Sequence, residues 1–123
     1  MDTLFEIKTS LGEILDVEAG EITPETYVVR DLGAESIDLL ELSVALNSRF
    51  RLEVNEDEVF LRTLRVFLNE AKENEQDPLD YLQRKYPFLG EGRVGEILVD
   101  MEGGPVLKVK DLMAYVSWRL GDN

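Results

Sequence analysis

Residues 31–42 read Asp-Leu-Gly-Ala-Glu-Ser-Ile-Asp-Leu-Leu-Glu-Leu, and the apolar spacing continues through Val44, Ala45, Leu46 and Phe50. Gly33 supplies a turn, and Ser36 opens a helix predicted to run to about Phe50. Taking about 100° per residue from Ser36, Leu39, Leu42, Leu46 and Phe50 fall on one side. Ile37, Leu40 and Val44 fall roughly 150° away. One apolar stripe is enough to attach a helix to a small core. A second, nearly opposite stripe must be covered by another element or serve as a contact patch. Glu41 flanks that second stripe, Asp38 lies farther round, and Ser36 stands at its N-terminal end.

Ser36 admits two readings. A serine before an apolar helix is most simply a helix cap. A helix start also presents unpaired N–H groups and partial positive charge, which suits a phosphodiester on the serine oxygen.

Upstream of this helix, Leu4, Ile7, Leu11, Ile14 and Leu15 follow helical spacing and predict an amphipathic helix over residues 3–16. Residues 17–35 form a long loop anchored by Ile22, Tyr27, Val28 and Leu32. Downstream, residues 56–73 predict one helix, with Val59, Phe60, Leu64, Phe67, Leu68 and Ala71 inward. A polar break at 74–78 precedes a short helix from Pro78 to Tyr86, since proline suits a first turn. Pro87, Gly90 and Gly92 interrupt, and Val94 to Met101 fits either a short helix or a strand. Gly103-Gly104-Pro105 is a turn. A last helix spans about 109–120, with Val109, Leu112, Met113, Val116 and Leu120 inward. The pattern predicts an all-α protein built around one core.

Composition narrows the function. The chain has 123 residues, a size that suits a single domain. With 26 acidic and 13 basic residues, its formal charge is −13. Such a chain repels nucleic acid and anionic lipid and attracts basic partner surfaces. There is no cysteine and no histidine, which excludes disulfides, cysteine nucleophiles and histidine bases. Any thiol chemistry must come from an attached group. Asp38 and Glu41 form a carboxylate pair, but no nucleophile or base accompanies it, and we expect no enzyme. Glu56-Asp57-Glu58 lacks the spacing and glycine of a calcium loop, and no metal site is expected. No signal sequence or membrane-spanning segment is evident, so a cytoplasmic protein without membrane insertion is expected.

The stretch from Asp31 to Leu42 resembles the attachment motif of acyl carrier proteins, Asp-Leu-Gly-Ala-Asp-Ser-Leu-Asp followed by an apolar helix. The resemblance extends through Gly12 to Val17, Ile22 to Thr26, Ala45-Leu46 and Phe50, and returns at Val109 to Val116. It implies an acyl-carrier-like helical bundle. It also implies 4'-phosphopantetheine moved onto Ser36 from coenzyme A by a phosphopantetheinyl transferase. The arm's thiol would hold acyl groups as thioesters for lipid or fatty-acid biosynthetic enzymes, with the acyl chain tucked between the helices. Basic patches on acyl-processing synthases and acyltransferases would dock on Glu35, Ile37, Asp38, Leu40, Glu41 and Val44, with the carrier acting as a monomer. Glu35 replaces the usual Asp, Ile37 replaces Leu, and Asn47, Ser48 and Arg49 stand where the family often has acids.

The largest departure is an inserted segment at about 62–107, within a chain otherwise read as one carrier domain over 1–123. It is a helical decoration, a docking element, or an extension of the acyl cavity by Leu64, Phe67, Leu68, Tyr81, Leu82, Phe88 and Leu89. The alternatives in function are a carrier-like protein-binding module without the arm and a carrier of polyketide or aminoacyl units.

Overall fold

The structure is a computed structural model and describes residues 2–121. Among these residues it contains helices and no strands, as the apolar periodicity requires. Helix α1 spans Thr3–Leu15 and α2 spans Ser36–Phe50. They are followed by α3 (Glu56–Val59), α4 (Leu64–Glu73), α5 (Pro78–Lys85), α6 (Glu91–Asp100) and α7 (Val109–Leu120). Short 3-10 turns occupy Ala19–Glu21 and Met101–Gly103. Among the described residues, no helix is long and apolar enough to cross a membrane.

Helices α1, α2 and α7 frame the core. Ile7 and Leu11 of α1 are buried with Leu42, Leu46 and Phe50 of α2 and Val109, Leu112, Tyr115 and Val116 of α7. The long loop is pinned by the buried Ile22 and Val28, whose amide donates to Leu107 O at 3.0 Å. An isolated antiparallel bridge joins Tyr27 to Lys108. The loop is thereby held against the start of α7.

The structure corrects the expected elements in several places. The helix expected over 56–73 is broken after Val59, and α4 starts at Leu64. Leu61 lies between them at φ 56°, a left-handed conformation that ends helical hydrogen bonding. Helical spacing continues across this break, so periodicity alone does not reveal it. Of residues 94–101, open between helix and strand, those up to Asp100 belong to α6 and Met101 begins the following 3-10 turn; α6 starts earlier, with Gly90 as its N-cap and Gly92 inside it. Leu120 is 43 % exposed rather than inward, while Tyr115 takes the buried position in the last turns. Helix α1 stops at Leu15, and the Asp16 N–H closes it on Gly12 O. Helix α5 stops at Lys85, with Tyr86 as its buried C-cap.

The inserted segment shares the core. Leu64, Leu82, Tyr86, Leu89, Val94, Ile97, Val106 and Leu107 are buried in the same cluster as the residues of α1, α2 and α7. Phe88 joins the two parts, with its ring centroid 6.0 Å from Tyr86 and 5.1 Å from Tyr115. Arg93 of α6 bonds Asp111 of α7 through two atoms at 2.7 Å, and Asp111 is 1 % exposed. The fork-to-fork geometry matches a carboxylate with two guanidinium donors.

Candidate functional site

Ser36 is the first residue of α2, and it is exposed. The residue before it, Glu35, has extended backbone and is the N-cap. Asp38, three residues after Glu35, accepts the Glu35 N–H at 2.8 Å, half of a capping box. The capping reading of Ser36 is therefore corrected: the cap is Glu35, and the Ser36 hydroxyl is left for other work. Gly33 has φ 71°, a conformation that favours glycine, and its amide closes a turn on Val29 O at 2.9 Å. Ala34, the next residue, is buried and anchors the turn in the core. Turn and anchor together present the serine at the start of the helix.

The two stripes of α2 separate as the wheel predicts. Leu42, Leu46 and Phe50 are buried, and Leu39 is half-buried. Ile37, Leu40 and Val44 are 63 %, 51 % and 61 % exposed. Glu35 and Glu41 are exposed beside them, and Asp38 is half-buried. The structure thus brings all the sequence-predicted docking residues onto the Ser36 side and the outer face of one helix.

A cleft of about 420 Å³ opens on the inner side of α2. It lies among Leu39, Val29, the turn from Phe60 to Arg65, and the segment from Met101 to Leu107. Of the residues expected to extend a cavity, only Leu64 lines it. Leu82 and Leu89 are core residues, while Phe67 and Phe88 stack edge-on against Tyr86. Tyr81 donates to Glu70 at 2.8 Å on the insertion's own surface. The residues missed by sequence reasoning are Phe60, Leu61 and those from Met101 to Leu107. The Gly103-Gly104-Pro105 turn was the available signal that the chain doubles back there.

That returning segment is fastened by Arg30. Its guanidinium donates to the Asp100 carboxylate, Asp100 O and Gly104 O, each at 2.9 Å. It also lies 4.3 Å over the Tyr27 ring, and the Tyr27 hydroxyl donates to Asp100 at 2.6 Å. These two donors hold the Asp100 carboxyl below the usual carboxylate range. A side chain at Gly103 would press on the guanidinium, 3.2 Å from Nη1. Nearby, Lys108 and Lys110 bond Glu25 at 2.8 and 2.9 Å and lower its pKa to about 2.

An exposed, uncapping hydroxyl at a helix start fits a phosphodiester, because the helix dipole favours the negative group. An apolar cleft beside the same helix fits an acyl chain. Comparison with known proteins agrees with this arrangement. Residues 6–69 match the family of the phosphopantetheine attachment site. The acyl carrier protein of Helicobacter pylori (strain J99) is 43 % identical over 56 residues, covering 45 % of this chain and 72 % of that protein. The acyl carrier protein of Helicobacter hepaticus is 40 % identical over 58 residues, covering 47 % and 76 %. No solved structure gives a significant match. The chain belongs to the phosphopantetheine-binding acyl carrier protein family and is a carrier with covalently attached 4'-phosphopantetheine. The family match ends within α4, so α5, α6 and α7 lie outside it.

Proposed function

We propose that Ser36 carries the 4'-phosphopantetheine arm and that this protein delivers acyl thioesters to lipid or fatty-acid biosynthetic enzymes. The observation that carries the reading is the exposed Ser36 hydroxyl at the first position of α2, relieved of capping by Glu35 and Asp38. When bound, the arm supplies a thiol, which the chain itself lacks. The protein's own residues present the serine, place favourable dipole charge at its oxygen, and offer an apolar wall through Leu39. The chain does not catalyse; it acts as one carrier domain over 1–123, with the segment at about 62–107 as its inserted part. It works in the cytoplasm as a monomer.

Partners meet Ile37, Leu40 and Val44, with Glu35, Asp38 and Glu41 as the acidic flank. Exposure of these three apolar side chains on one helix supports the assignment. A phosphopantetheinyl transferase and later acyl-processing enzymes use the same face through basic patches. Incubation with coenzyme A, magnesium and a broad-range transferase tests this. Intact mass should rise by one phosphopantetheinyl group, and Ser36→Ala should show no rise. A rise in the Ser36→Ala variant would move the attachment elsewhere.

A further inference from the structure

We infer that the cleft inside α2 receives an acyl group bearing a carboxylate, and that Arg62 and Arg65 recognise that charge. The inference rests on the carrier reading and specifies its cargo. The cleft, of about 420 Å³, falls within the size range of small-molecule pockets. Leu39, Leu61, Val106 and Leu107 give it walls suited to a hydrocarbon chain. Arg62 and Arg65 line the same cleft, and both are exposed. Hydrocarbon walls with two guanidinium groups suit a chain that is apolar along its length and anionic at one point.

Folding gives Arg62 only weak contacts, among them the Phe60 ring, whose centroid lies 5.6 Å from its guanidinium, and it gives the Arg65 charge no favourable place. Arg65 lies in the first turn of α4, where positive charge opposes the helix dipole. Each of the other six α-helices has an acid in its first turn, whereas α4 has none. The chain has 26 acids to draw on, so their absence here leaves a cationic edge within a strongly acidic protein. Arg62 has one ion-pair partner, Glu56 at 3.4 Å, and both side chains are well exposed. Such a pair is weak and leaves guanidinium donors for a ligand. The turn that brings Arg62 to the cleft also holds Leu61 at φ 56°, which is unfavourable for a bulky residue. Acidic partner proteins are an unsuitable occupant, because a macromolecular surface cannot enter a cleft of this size.

The test compares octanoyl and 7-carboxyheptanoyl thioesters, each loaded enzymatically from the corresponding coenzyme A derivative. The rate of thioester cleavage by hydroxylamine reports shielding. In the parent, the carboxylate-bearing cargo should be cleaved about threefold more slowly, the size expected of a partly exposed ion pair. In the R62Q/R65Q variant, that advantage should vanish while the octanoyl rate stays unchanged and the thermal midpoint does not fall, since the Arg65 charge opposes the α4 dipole. Equal rates for the two cargoes in the parent overturn the inference. So does an advantage that survives in the variant. An equal change for both cargoes assigns the arginines to the arm's phosphodiester or to the wall itself, and overturns it too. Failure to load is seen in the intact mass and strikes the Ser36 assignment instead. The cleft is then decided with unmodified protein titrated with octanoate and octanamide. Stronger amide shifts at residues 61–65 with octanoate uphold the charge recognition; equal shifts or none reject it.

Discussion

Asp38 uses one carboxylate oxygen to tie the N–H of Glu35 at 2.8 Å, and this bond sets where α2 begins. Asp38→Ala should lower stability by about 1 kcal/mol, as for loss of a helix cap. Ser36→Ala should change it by less than about 0.5 kcal/mol, as for an exposed residue outside such features. Urea denaturation of the two variants checks the contrast, and the reverse order would return the cap to Ser36. A second residue-scale expectation concerns acid. Hydrogen bonds from Lys108 and Lys110 lower the Glu25 pKa from its ordinary 4.5 to about 2. A depressed carboxyl stabilises the fold above its unfolded value, and that contribution is lost as pH falls through the folded value. The Glu25 contribution should thus be complete above 4.5 and disappear towards pH 2. Glu25→Gln should flatten the thermal midpoint against pH within that window; an unchanged slope would show that the lysine contacts are not maintained in solution. Glu25 is exposed, so the effect should shrink with added salt.

Between elements, the joint of α6 and α7 carries the highest stake. Asp111 is buried, bonded by Arg93 at 2.7 Å and by the Lys108 N–H at 2.9 Å. Arg93→Ala leaves a buried carboxylate short of its countercharge and should cost roughly 3 kcal/mol in denaturant unfolding. A loss below about 1 kcal/mol would mean that water or Lys108 replaces the guanidinium. The elements differ in how legible they were. Helices α2 and α7 are readable because their apolar spacing is regular, and α7 also stops at Gly121. The break between α3 and α4 was not, because Leu61 is a residue of good helical character held in a left-handed turn. Helix α6 was ambiguous because its glycines signal interruption, while Val94 and Ile97 face the core at helical spacing. Packing against α5 and the Arg93–Asp111 pair to α7 hold it as a helix.

Across the whole molecule, the charge of −13 and the exposed face of α2 act together. Glu41→Lys should slow modification by a phosphopantetheinyl transferase at low salt, with the gap to the parent narrowing as ionic strength rises. Initial rates of mass gain across a salt series measure this, and a gap independent of salt would exclude electrostatic steering. The candidate site was legible to the extent that it is local in the chain. Ser36, its glycine turn and the opposed stripes lie within one short stretch, so spacing alone places them on one helix. The amino-acid sequence by itself determined the helical class, the acidic surface, the absence of a native thiol, and the position of the candidate attachment serine. The tertiary structure decided what spacing cannot express. It joined the inserted segment to the common core through Phe88 and Arg93, and brought Met101–Leu107 against α2 to form the cleft. Those features depend on side chains distant in the chain meeting at van der Waals and hydrogen-bond distance, and periodicity records only which residues seek burial, not which partners they find.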